Sequence, residues 1–305
     1  MKLHQLAALV VASETGSLRR AADKMHLSQP ALSRSIRELE LEVGVKLLDR
    51  TALGVEPTVY GKALILRSKI VEAELRQARD DIAHLRAATQ GDLRIGATPV
   101  AAFSLLPMVL AQIKKARPNL RVTVSDGIGA GLLNRLRQGD FDFAFGRIFD
   151  DVDPHEFNID VLFNDSLVVF ARRDHPLTKE KRLSKIDWEK YEWFLPGNDS
   201  PARTALQRTF YEKTGLAPKC VMDSDSFMTM LTVISQTDLL GVAPHELFRI
   251  GWLQQTFVTL DLGLKLPSQP TGIIRRAKST PSTAARYAIR ELRHAARQLR
   301  KDKAR

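Results

Sequence analysis

Residues Ser17 to Gly44 read S-L-R-R-A-A-D-K-M-H-L-S-Q-P-A-L-S-R-S-I-R-E-L-E-L-E-V-G. Two short helices joined by a tight turn are written there. Ser17 is placed to cap a helix whose apolar side is Leu18, Ala21, Ala22 and Met25. His26-Leu27 turns the chain. Ser28 caps the next helix, and Pro30 falls in its first turn, where a missing N–H costs nothing. Ala31, Leu32, Ile36 and Leu39 recur at helical spacing and are expected to face inward. Gln29, Ser33, Arg34 and Arg37 are left outward, and these are groups that bond base edges or phosphates. A hairpin inside an ordinary helical domain needs neither Ser-Gln-Pro nor a polar outer face.

The order and spacing of Ser17, Ala21-Ala22, Ser28-Gln29-Pro30-Ala31, Ser33, Ile36 and Leu39-Glu40, then Gly44-Val45-Lys46-Leu47-Leu48-Asp49-Arg50, resemble the N-terminal domain of LysR-type transcriptional regulators. The resemblance implies an α+β multi-domain chain. A winged helix-turn-helix would occupy 1–58, with the helix-turn-helix at about 18–37, and a linker and dimerisation helix 59–89. A two-lobed α/β effector domain, arranged like a periplasmic binding protein, would occupy 90–305. Lobe I is expected at about 90–160 and 268–305, and lobe II at about 161–267. The resemblance further implies double-stranded promoter DNA, a small-molecule effector, a homodimer or homotetramer, and RNA polymerase as a partner if the protein activates. Ser28, Gln29, Pro30, Ser33, Arg34, Arg37, Arg50 and Thr51 are the DNA-binding candidates. Leu53 departs from the basic residue common in the family's wing, which leaves Arg50 as the wing-side cation.

Bulk composition would have pointed elsewhere. The chain has 305 residues and a formal net charge of +11. Residues 1–62 hold nine Lys/Arg against seven Asp/Glu, whereas residues 275–305 hold eleven against two. The motif, and not the overall charge, therefore carries the DNA reading. Cys220 is the only cysteine, so an internal disulfide is excluded and a reducing cytosol fits. The first residues enter an amphipathic pattern directly, and no apolar run reaches about 18 residues. A soluble, cytoplasmic, unexported chain is expected, with no membrane partner.

Leu3, Leu6, Leu9 and Val10 predict a first helix beneath the hairpin, and Thr51 to Thr58 a short wing with Gly54 at its tip. Between 59 and 88, Leu64, Val71, Leu75, Ala78, Ile82 and Leu85 form a heptad seam that calls for a partner helix. From Asp92 onward, strands and helices alternate with short connections. This predicts an α/β domain with a largely parallel sheet. Leu105 to Lys115 is predicted as one helix, and a second series of strands begins at Ile159, with Leu162 and Leu167–Ala171.

Ligands of open α/β sheets sit at the carboxyl ends of strands, often at helix N-termini. Two such places are legible: Thr98-Pro99-Val100, and Pro196 through Ser200. Arg147 lies where the chain leaves the first lobe, and Pro244 ends a second-lobe strand; with Phe227 they complete the effector-binding candidates. Thr98 reads equally as a plain helix cap, and Arg147 as a hinge ion pair with Asp150 or Asp151. A hydroxyl and free N–H groups at each place suit an anionic effector.

No catalytic motif is found, so no enzyme activity is expected. The seven histidines lack H-x₃-H or H-E-x-x-H spacing, which argues against zinc, and no cofactor is implied. His175 sits in Arg-Arg-Asp-His-Pro-Leu, which resembles a common surface loop of the family, and it reads as structural. Two other classes remain open: a constitutive DNA-binding protein without effector, and a cytosolic solute-binding module. The C-terminal helical stripe Ala285, Ala288, Leu292, Ala295 and Leu299 leaves arginines outward, either as a solvated face or as an auxiliary phosphate contact.

Overall fold

A computed structural model describes residues 1–51, 54–85, 91–127, 129–148, 152–180, 190–198 and 200–303, without the side chains of residues 80, 81, 83–85 and 300–303. Leu53, Asp150, Asp151 and the Leu85 side chain lie outside the described residues. In chain order the elements are α1 (Leu3–Thr15), α2 (Leu18–Lys24), α3 (Gln29–Val43), β1 (Leu48–Thr51), β2 (Gly54–Pro57), α4 (Val59–Leu85), β3 (Gly91–Ala97), α5 (Pro99–Phe103), α6 (Leu105–Ala116), β4 (Leu120–Asp126) and α7 (Gly129–Arg137). There follow β5 (Phe143–Arg147), β6 (Phe157–Arg172), β7 (Glu192–Pro196), α8 (Pro201–Thr214), β8 (Lys219–Ser224), α9 (Phe227–Ile234), β9 (Gly241–Pro244), α10 (Gly251–Thr256), β10 (Phe257–Leu260), β11 (Ser268–Arg276) and α11 (Thr283–Lys303).

The N-terminal unit is built on two serine caps. Ser17 Oγ accepts from the Arg20 N–H at 3.4 Å, and Ser28 Oγ from the Ala31 N–H at 3.3 Å. Between them, the turn passes through His26 at a φ of 55°. Leu9, Leu18, Ala21, Ala22, Leu32, Ile36 and Leu39 close one core with Leu47 and Val55 of the wing. Two expectations fail here. Ala31 is exposed, because the first turn of α3 projects beyond the hairpin's core, and Leu3 is exposed for the same reason at the start of α1. β1 and β2 pair antiparallel as the wing. Glu40 ties α3 to it, accepting from the Leu47 and Leu48 N–H groups at 2.8 and 3.2 Å.

α4 is one 27-residue helix, and its sides go to different places. Leu64, expected in a seam between subunits, packs instead with Ile65 against the chain's own N-terminal core. Val71, Leu75, Ala78 and Ile82 are exposed in the single chain. A third side lies on lobe I. Ala73 is buried, Arg76 Nη2 donates to Gly139 O at 2.7 Å, and Arg276 pairs with Glu74 at 3.4 Å.

In lobe I, β3 runs parallel to β4 and β5, but β11 is antiparallel to β5 and to β6. The sheet is therefore mixed rather than largely parallel, since β11 returns from lobe II in the opposite sense. α6 and α11 cover one face with a core of Leu93, Ile95, Leu106, Val109, Ile289 and Leu292. The helix expected at Leu105 is preceded by α5, with a break at Ser104. Likewise β6 is one 16-residue strand, where two were expected. Its first half pairs with β11 in lobe I, and its second half with β9 and β10 in lobe II.

His175, expected to be structural, has its ring buried in lobe II rather than at the surface. Nδ1 accepts from the Leu177 N–H at 3.1 Å, and Nε2 lies 3.0 Å from Asp238 O, which fixes the proton on Nε2. Burial pushes its pKa below the ordinary histidine value, against a smaller raising effect of the Asp238 carbonyl. The unfolded chain then takes a proton at about pH 6.5, while the folded one does not. Stability is expected to be full above that pH and to decline as pH falls below it. Urea unfolding followed from neutral pH to about pH 5 checks this, and His175→Gln should flatten that part of the profile.

Candidate nucleic-acid interface and effector cleft

The N-terminal half of α3 stands free of the core. Ser28, Gln29, Pro30, Arg34 and Arg37 are exposed and Ser33 is half-buried, while Leu32, Ile36 and Leu39 anchor the opposite side. Arg50 and Thr51 are exposed at the end of the first wing strand. The helix thus presents two guanidinium groups, an amide and a hydroxyl on one face, a set suited to base edges and phosphates.

The second site lies between the lobes, at the carboxyl ends of β3 and β5. It is a cavity of about 220 Å³. All eight positions singled out in the sequence line it: Thr98, Pro99 and Val100 on one side, Arg147 at the floor, and Pro196, Ser200, Phe227 and Pro244 from lobe II. Neither Thr98 nor Ser200 caps its own helix through its side chain. The plain-cap reading of Thr98 is therefore set aside. Phe163, Leu167, Met230 and Val242 make most of the wall apolar. At the rim, Phe103 of α5 stacks edge-on against Phe227 and Trp252, with ring centroids 6.0 and 5.7 Å apart, and braces the lobes.

Several lining residues escaped the sequence. Asp165, Gln269 and Thr271 come from β6 and β11, the strands that pass between the lobes. Which face they present depends on long-range pairing, for which the sequence carries no local signal. Ser224 ends β8 and Asp225 follows it, and the strand-end rule that located Thr98 would have found them. Asp165 accepts from the Glu246 N–H at 3.2 Å.

The geometry meets its counterparts in known proteins. Residues 3–62 match the family model of the bacterial regulatory helix-turn-helix protein, lysR family, and residues 86–297 match that of the LysR substrate binding domain. The chain is a LysR-family transcriptional regulator. It is 29% identical over 296 residues to the HTH-type transcriptional regulator GbpR of Azospirillum brasilense, covering 97% of this chain and 86% of that protein. It is 30% identical over 289 residues to the SDS degradation transcriptional activation protein of a Pseudomonas strain, covering 93% and 92%. The crystal structure of the LysR-family regulator CbnR shares its fold, with a TM-score of 0.67 at 19% identity over 97% of this chain and 99% of that one. CbnR complexed with its target DNA gives the same TM-score and identity, over 97% of this chain and 100% of that one. The regulator combines a DNA-binding domain with an effector-binding domain. Among its described residues no helix is long and apolar enough to cross a membrane.

The cleft floor depends on one close approach. Gly146 has a φ of +151°, and a Cβ placed on it would come within 2.2 Å of Thr98 Oγ1. Gly146→Ala should therefore push Thr98 into the cleft and lower the regulator's unfolding free energy by about 1–3 kcal/mol. Urea unfolding measures the loss.

Proposed function

We propose that the regulator reads promoter DNA with Gln29, Ser33, Arg34 and Arg37, supported by Ser28, Pro30, Arg50 and Thr51. In this reading its binding is tuned by a small effector held between the lobes. The functional units are then 1–58 for DNA, 59–89 for dimerisation and 90–305 for the effector. The exposed polar face on the capped helix α3 is the observation that carries the DNA assignment. The effector is a compact molecule with an apolar body and an anionic group. The apolar wall suits the body, while Arg147 and the hydroxyls of Thr98 and Ser200 suit the anion. The protein acts by binding rather than catalysis, in the cytoplasm at the nucleoid, and contacts RNA polymerase where it activates.

Arg34 is assigned to a guanine edge and Arg37 to phosphate. Arg34→Ala should cost about 1–3 kcal/mol at the operator and little on random duplex. Arg37→Ala should weaken binding to both more evenly. Affinities for operator and random duplex, measured at one salt concentration, separate the two roles; unchanged values in both variants would sink the assignment.

Self-association is assigned to the exposed stripe of α4. Val71 and Leu75 share a groove with Leu3 and Leu6 of α1, and Ile82 continues the apolar line. A second copy's linker helix fits such a stripe. Leu75→Glu combined with Ile82→Glu sets like charges into that contact. Sedimentation is expected to show a monomer with both lobes still folded, and an unaltered oligomer would count against the stripe.

A further inference from the structure

We propose that the outer face of α6 and α11 on lobe I is an auxiliary binding surface for the phosphate backbone of DNA flanking the site held by the helix-turn-helix. α11 is strongly amphipathic: Ala285, Ala288, Ile289, Leu292 and Ala296 are buried on lobe I. Arg286, Arg290, Arg293 and Arg297 are all exposed on the other side. Their spacing of four, three and four residues confines them to an arc of about 60° and spreads them over about 17 Å of helix axis. This is about half the helical repeat of duplex DNA.

The α6 end adds Lys114 and Lys115, both exposed, and Arg117 just beyond. The Arg117 and Arg290 guanidinium groups both lie over the Tyr287 ring, 4.6 and 4.8 Å from its centroid. One aromatic ring thus gathers two like charges, a placement that repels in isolation and that a bridging phosphate would relieve. The carboxylates paired with the arginine stripe are Glu291, 3.0 Å from Arg290, and Asp160, 2.7 Å from Arg293. Arg286 and Arg297 make no ion pair among the described residues, although Arg286 donates to Pro281 O at 2.7 Å and to Thr283 Oγ1 at 2.8 Å. A surface kept only for solubility has no need to align its cations or to stack two of them on one ring.

Position favours DNA over another polyanion. Lobe I is the lobe that the linker helix holds, through Arg76 to Gly139 and Gln77 to Thr280. Thr280 lies just before the start of α11. Gln77 sits about 27 Å along α4 from Val59, less than one turn of duplex, at about 34 Å. The linker contact that precedes α11 therefore lies within one helical turn of the start of α4, measured along that helix.

The test uses the full chain and random-sequence duplex DNA of two lengths. One duplex spans a single helical turn, and the other extends well beyond it. Each phosphate neutralised adds about −0.9 to the slope of log K against log salt. The wild-type slope is expected to be steeper on the long duplex by about 2 to 3. Arg117→Gln with Arg290→Gln and Arg297→Gln should remove that difference and leave the short-duplex slope unchanged. If this variant folds poorly in thermal melts, Lys115→Gln with Arg297→Gln tests the same point without touching the ring, an ion pair or the Arg286 contacts at the start of α11. Equal slopes for variant and wild type on the long duplex would overturn the proposal. Equal slopes with lost activation in a reconstituted transcription assay would overturn it too, and would move the face to a protein partner.

Discussion

One helix has to satisfy three surfaces at once. α4 spans 27 residues, and an isolated helix of such mixed composition has little stability in water. Its start is held by the N-terminal core through Leu64 and Ile65. Its middle is held by lobe I, where the buried Ala73 meets Gly139 so closely that a Cβ on the glycine would lie 2.4 Å from the alanine methyl. A third side, with Val71, Leu75 and Ile82, is exposed in the single chain. The orientation of the DNA-binding domain relative to the cleft follows from how these contacts divide around the helix.

The polar contacts of that junction converge on the C-terminal end of α7. Arg276 Nη1 donates to Leu136 O and Phe141 O, both at 3.3 Å, while its other nitrogen faces Glu74. Lys69 reaches Glu14 at 3.1 Å and Gln138 at 3.2 Å. Asp142, largely buried beside this junction, has its pKa raised by desolvation in spite of the Arg94 N–H and the nearby Arg76 and Arg276. Cations thus bond backbone carbonyls in the last turn of α7 and in the loop that follows it. The same residue types serve two ends of the molecule differently: exposed and unencumbered on α3, half-buried and structural at the linker.

What the sequence made legible was local. Serine caps, the outward Gln29, Ser33, Arg34 and Arg37, and the strand ends at Thr98 and Pro196 depend on neighbours within a few residues. The fold preserved these placements, with Ser33 only half-exposed. The failures share a cause as well. Leu64 and Leu75 belong to one heptad pattern, yet one faces the chain's own core and the other does not, because periodicity names an apolar face without naming what covers it. Asp165, Gln269 and Thr271 reach the cleft through strand pairing over a hundred residues of sequence. The buried ring of His175 was hidden in a stretch of charged neighbours, since its burial comes from Leu177 and Asp238 folding over it.

β11 gives the two lobes a common spine. At one end Gln269 and Thr271 line the cleft; at the other Arg276 grips the linker. The five steps from Thr271 to Arg276 cover about 17 Å of nearly inextensible strand. Its ladder with β6 slips register between Thr271 and Gly272, where Gly272 also pairs with Gly146 of β5. The slip lies beside the cleft and the clamped end at the linker, so one strand joins the cleft wall to the helix that leads to the DNA-binding domain, with no loop between them.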